Sequence, residues 1–130
     1  MRNILFVIFI LFIQCSPKHI TKQSQVTSVA TVLDCYDCTV NKQELLAKPY
    51  VTISNNNFRW KIIRYDLTFA IKGYLCYYGV EQDTFPKEAV EKIDSLGSFI
   101  NKIFIDHIKA VNKNNDTIFL NPIALKIKKG

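Results

Sequence analysis

This chain is poor in the residues that build metal and nucleophilic sites. It has two histidines and four cysteines in 130 residues. One of those cysteines, Cys15, lies at the end of an N-terminal apolar run. Cys35, Cys38 and Cys76 remain, so there is one Cys-x-x-Cys pair and no second pair to complete a four-cysteine zinc site. The chain also lacks an apolar run of the roughly 20 residues that a membrane-spanning helix needs. It has no block of basic residues. Lysine and arginine are spread along it, which argues against nucleic acid as a partner. No serine or cysteine is placed to complete a catalytic triad, and no catalytic residue is assigned. No metal site or cofactor is expected.

What is present is a basic, apolar-rich chain. Seventeen Lys and Arg against 11 Asp and Glu give a formal charge of +6, and 48% of the residues are hydrophobic. Removing a leader that contains Arg2 leaves 16 minus 11, or +5. That balance weakly favours anionic partners such as lipid headgroups, acidic proteins or polysaccharide. The length suits one domain.

Residues 1–14 read as a signal peptide: Arg2, then an apolar run from Ile4 to Ile13. Cys15 follows at once, with Ser16 and Pro17 behind it. A short apolar run ending in Cys-Ser resembles a bacterial lipoprotein signal, which implies cleavage before Cys15 and its acylation. Gln14 is larger than the usual residue before such a cysteine. Two or more acyl chains would anchor the protein firmly, at about 0.8 kcal/mol per buried CH₂. Residues 15–27 are polar and unpatterned, a tether. His19 lies in it as a solvated side chain. Residues 28–130 form the domain.

Within the domain, Val29, Thr31 and Leu33 alternate as a short strand before Cys35-Tyr-Asp-Cys38. That pair is open to three readings: a redox motif, half of a metal site, or a structural disulfide, which an exported compartment favours. Cys76 is either a thiol or a buried small hydrophobe. Asn41 with Glu44 starts a short helix that ends at Pro49. Val51 and Ile53 mark a strand, and Asn55-Asn56-Asn57 a turn. The clearest strand follows, with Ile63, Tyr65, Leu67, Phe69 and Ile71 on one face and Arg64, Asp66, Thr68, Ala70 and Lys72 on the other. Residues 74–80 form the next strand. Ala89, Val90, Ile93 and Leu96 then fall at helical spacing, with Thr84 or Phe85 as the cap, Pro86 in the first turn and Gly97 as the stop.

Arg59, Trp60, Tyr74, Tyr77 and Tyr78 are the candidate partner-binding residues, since Tyr, Trp and Arg most often anchor interfaces. Asp106-His107 has the letters of a catalytic dyad. In a regular strand, however, neighbours point to opposite faces and cannot pair, and Asp106 is expected at a bulge or an edge. The pattern predicts a mainly β fold: an antiparallel sandwich of roughly six or seven strands with one or two short helices.

The last third ends in Ile123, Leu125 and Ile127 alternating with Ala124, Lys126 and Lys128. Gly97, then Phe104 with Ile108-Lys109-Ala110, then a polar turn, then Leu120-Asn-Pro-Ile123 resemble the end of the GldM/PorM family C-terminal domain. That family serves gliding motility and type IX secretion in Bacteroidetes. The turn departs from the pattern, reading Asn-Lys-Asn-Asn-Asp where the family often has glycine. The resemblance implies an Ig-like β-sandwich without catalytic residues, acting as a protein-binding or scaffolding module in the cell envelope. It also implies contact with envelope proteins of that machinery. With the anchor, it implies a periplasm-facing lipoprotein of the outer membrane. A thiol-redox or metal-binding envelope protein using Cys35 and Cys38 is the alternative.

Overall fold

The computed structural model describes residues 28–55 and 59–129. The expected leader, Cys15 and the tether lie outside the described residues, as do Asn56 and Asn57 of the polar turn. The chain is mainly β with two short helices, as its patterning predicts. In order, the elements are β1 (Val29–Thr31), β2 (Asp37–Val40), α1 (Lys42–Ala47), β3 (Thr52–Ser54), β4 (Lys61–Ile71) and β5 (Tyr74–Val80). Then come α2 (Lys87–Leu96), a 3₁₀ turn (Gly97–Phe99), β6 (Lys102–Val111), β7 (Thr117–Phe119) and β8 (Ile123–Ile127). Among the described residues, no helix is long and apolar enough to cross a membrane.

Six strands form one sheet in the order β2-β8-β6-β4-β5, with β7 also on β6. β1 and β3 pair separately as an antiparallel ribbon. The sheet departs from the expected antiparallel pattern at one ladder: β2 runs parallel to β8. These two strands are joined through nearly the whole domain, so no tight hairpin dictates their sense.

One face of the sheet is buried. It contributes Leu67 and Phe69 from β4, Ile103 and Ile105 from β6, and Ile123 and Leu125 from β8. Leu45 of α1, Ala89 and Ile93 of α2, and Ala30 of β1 belong to the same continuous core. Each buried leucine, isoleucine or phenylalanine side chain contributes roughly 1.5–3 kcal/mol by leaving water, and each alanine less. The helices are placed by local chemistry. The Asn41 side chain accepts from the Gln43 and Glu44 N–H groups at 2.8 and 3.3 Å, capping α1. Pro86, which the sequence suggested for the first turn, is itself the N-cap of α2. Gly97 does not stop that helix in a left-handed conformation. Its φ is −58°, and the chain tightens into the 3₁₀ turn. The glycine instead makes room for Lys42, since a Cβ there would lie 2.9 Å from Lys42 Cδ. Lys42 crosses it and donates to the Asp94 carbonyl at 2.9 Å, tying α1 to α2.

The alternation of β4 and β6 changes phase midway. On β4, Ile62 and Tyr65 are both buried, and Ile63, expected on the inner face, is only half-buried. On β6, Ile105 and Ile108 are both buried. Pairs on either side, Ile62↔Ala110 and Asp66↔Asp106, are separated by equal lengths of both strands, with an irregular Arg64↔Lys109 pair between. The two strands therefore shift together and keep their apolar residues inward. The other edge of β6 breaks at the same level. β8 pairs with residues 102–105, β7 pairs with 109–111, and Leu120 N–H donates to the Ile108 carbonyl between them. Asn121-Pro122 interrupts what is otherwise one strand, because proline cannot donate to the ladder. Asn121 uses its side chain elsewhere: Oδ1 accepts from Ala30 N at 2.8 Å and Nδ2 donates to Ala30 O at 3.0 Å, joining the ribbon to the sheet.

Candidate functional site on the open sheet face

Among the described residues, no second layer covers the outward face of the sheet. Along one cross-strand row lie Tyr77, Thr68, Phe104, Ala124 and Asp37, fixed by the ladders of β5, β4, β6, β8 and β2. Tyr77 and Phe104 are exposed. The next row towards the β4–β5 turn holds Leu75, Ala70, Lys102 and Lys126. A cleft of about 470 Å³ opens between Tyr36, Phe104, Pro122 and Ala124, with Asp37 and Asp106 as its acidic residues. A second, of about 420 Å³, is lined by Lys72, Leu75, Phe99, Lys102 and Phe104. Lys72 Nζ sits 4.2 Å from the centre of the Phe99 ring, so a lysine and an aromatic form one surface.

The third row is polar and falls where the strands change phase. His107 has φ 51°, the left-handed region, so the alternation between Asp106 and His107 fails. The sequence expectation that these neighbours point to opposite faces is therefore corrected. His107 Nδ1 lies 3.4 Å from Asp106 Oδ1 and 2.9 Å from Asp66 Oδ2, across the ladder. Asp106 is at a bulge, as expected. Asp66 is the anchor, with a side chain only 16% exposed. Its Oδ1 accepts from the Tyr77 hydroxyl at 2.8 Å and meets Arg64 Nη2 at 3.4 Å. The hydrogen bond to Asp66 is the main reason the Tyr77 phenol is held above its ordinary pKa. Gly79 lies opposite Asp66 on β5, and a Cβ there would come within 3.3 Å of the Arg64 guanidinium. The small residue lets Arg64 lie across the strand.

The five aromatic and arginine candidates do not make one surface. Tyr74 is 78% exposed and neighbours Leu75, 72% exposed. Tyr77 faces the open side. Tyr78 turns towards the core, its ring 6.0 Å from that of Phe69, because β5 alternates. Arg59 and Trp60 precede β4, whereas Tyr74 pairs with Ile71 at its far end. Trp60 is half-buried in a cleft with Val51, Ile53 and Asp83. The residues that reasoning from sequence missed, Tyr36, Leu75 and Phe104, join the face only through register. For Leu75 and Phe104 the outward side of an alternating strand was the one available signal, while Tyr36 lies in the bend before β2.

Cys35 and Cys38 form a disulfide with their Cα atoms 6.3 Å apart. It joins the tight Val32–Cys35 turn to the start of β2 and does not sit at a helix N-terminus. As a disulfide, the pair offers no thiolate to a metal. Cys76 is a free thiol, half-buried against the core.

No family model matches this sequence, and no curated protein matches it. The class defined by fold and face is a mainly β domain with one open, aromatic and charged sheet surface.

Proposed function

We propose that this chain is a non-enzymatic cell-envelope lipoprotein whose β domain binds or scaffolds another protein through its open sheet face. The observation that carries this reading is the uncovered surface bearing Tyr77, Phe104, Leu75 and Tyr36. Exposed aromatic side chains beside clefts of side-chain size are common anchors of protein interfaces. The Cys-Ser junction at residue 15 supports acylation, and with it a periplasm-facing position, at the outer membrane by the GldM/PorM resemblance. The same resemblance of Gly97 to Lys128 supports partners in the gliding and type IX secretion apparatus.

The test is in-cell photocrosslinking from position 104, compared with position 91 on α2, followed by mass spectrometry. Capture of ring or motor components of that apparatus from 104 alone supports the reading. Equal capture from both positions, or only unrelated envelope proteins, sinks it. A thiol-redox role is the second reading, favoured by the Cys35–Cys38 disulfide. A reduction potential far below the envelope's redox poise would mark that bond as purely structural.

A further inference from the structure

We propose that Asp66, Asp106 and His107 form a binding site for a divalent transition-metal ion of the zinc, nickel or manganese class. The site lies on the open sheet face and goes beyond the protein-binding role. Among the described residues, these three offer donor atoms that all lie within 4.8 Å of one another. The two separations from His107 fit ligands sharing an ion. Bonds of about 2.0–2.2 Å at tetrahedral or octahedral angles place neighbouring donors roughly 2.9–3.5 Å apart. Here Asp66 Oδ2 and Asp106 Oδ1 lie 2.9 and 3.4 Å from His107 Nδ1.

The arrangement is built rather than accidental in two respects. First, the donors come from adjacent strands at the one level where both change phase. A regular β6 would send His107 to the other face. Second, Asp66 is oriented from behind. Tyr77 and Arg64 occupy its Oδ1, which leaves Oδ2 turned to His107. Ligating carboxylates are commonly fixed by such outer hydrogen bonds. One imidazole with two carboxylates suits zinc, nickel or manganese. Calcium wants six to eight oxygens, and magnesium keeps mostly water. His107 is 71% exposed, so three protein ligands on one side leave the remaining coordination positions open to solvent or to a ligand from a partner.

Arg64 is the opposing charge. Its guanidinium reaches Asp66 from the side away from His107, and it weakens the attraction for a dication without blocking a donor. That gives a control of known sign.

The experiment is calorimetric titration of the full chain with Zn²⁺, with Co²⁺ absorption reporting the ligand set. We expect one saturable site per chain. Asp106→Asn and His107→Asn should each weaken it at least about tenfold, and Arg64→Gln should tighten it severalfold. Asparagine matches the shape of aspartate and tolerates the left-handed backbone at 107, so both variants should fold, which circular dichroism checks. Absence of saturable binding below millimolar Zn²⁺ overturns the proposal. So does binding that survives both asparagine variants, which would place the ion elsewhere, at His19 or the Cys76 thiol.

Discussion

The phase change in the sheet rests on His107, and a pair of substitutions there separates two pictures by sign. His107 lies mid-strand at φ 51°. Replace it with valine and, separately, with asparagine. Both lose the imidazole contacts to Asp66 and Asp106, which at an exposed site are together worth less than about 1 kcal/mol. The backbone decides the rest. A left-handed residue costs roughly 1–2 kcal/mol unless it is glycine or, in part, asparagine, and a β-branched side chain fares worst. Valine should therefore be less stable than asparagine by roughly 2 kcal/mol, or about 10 °C in Tm for a domain of this size. If β6 ran regularly through Asp106-His107, strand propensity would favour valine by up to about 1 kcal/mol. Urea unfolding followed by Trp60 fluorescence and far-UV circular dichroism gives the difference. Valine equal to or more stable than asparagine would refute the phase change and, with it, the convergence of the three donors.

Three further outcomes follow from buried or crowded groups. The Tyr65 phenol is held well above its ordinary value of 10, first by burial and then by the Asp83 carboxylate. The folded state therefore resists its ionisation: stability is complete below pH 10 and falls as pH rises beyond it, by up to about 1.4 kcal/mol per pH unit for this group. Tyr65→Phe should flatten the decline in denaturant midpoint above pH 10, at a cost near 1 kcal/mol at neutral pH for the lost bond to the Asp83 carbonyl. Asn121→Ala removes both side-chain bonds to Ala30 and should cost about 2 kcal/mol, with faster amide exchange at Ala30 as the local readout. Gly97→Ala should be near neutral in the native chain, where the new Cβ meets Lys42, but should stabilise a Lys42→Ala background by up to about 1 kcal/mol in thermal unfolding.

The parts of this fold that were legible are those in which one strand or helix obeys its own period. Tyr65 through Ile71, Ile123 through Ile127, and Ala89 with Ile93 are buried where the patterning puts them. The phase change was not legible. Ile62-Ile63 offers two equivalent apolar residues, and nothing local says which faces inward. His107 adopts a glycine-like conformation without being glycine, so the usual mark of a bulge is missing. The break at Asn121-Pro122, with one ladder continuing past it from β7 to β8 along β6, was not legible either. The open face was the least legible part. Tyr36, Phe104 and Ala124 come from separate stretches, and their adjacency exists only once β2 has paired with β8 and β8 with β6. Grouping Arg59 and Trp60 with the tyrosines followed residue type alone, whereas the ladder puts Tyr74 at the far end of β4 from Trp60 and turns Tyr78 to the other face from Tyr77.

The direction of the sheet also bears on where a partner would approach. The described chain enters at Ser28, whose hydroxyl donates to the Asn55 carbonyl, and β1 is held by Asn121 just before β8 begins. β8 then runs away from that end, pairing first at Ile105 and last at Lys102. β4 runs in the same direction and reaches the Lys72-Gly73 turn there. The most exposed apolar residues of β5, Tyr74 and Leu75, and the cleft with Lys72, Phe99 and Lys102, therefore lie at the end remote from chain entry. A domain tethered through the residues before Ser28 would present this end away from its own anchor. Under the proposed anchoring, its aromatic and lysine side chains would be poorly placed to meet the anchoring bilayer and well placed to meet a facing protein. Soluble domain lacking lipid should accordingly show no preference for anionic vesicles over neutral ones, and Leu75→Asp should abolish partner capture while leaving any vesicle binding unchanged.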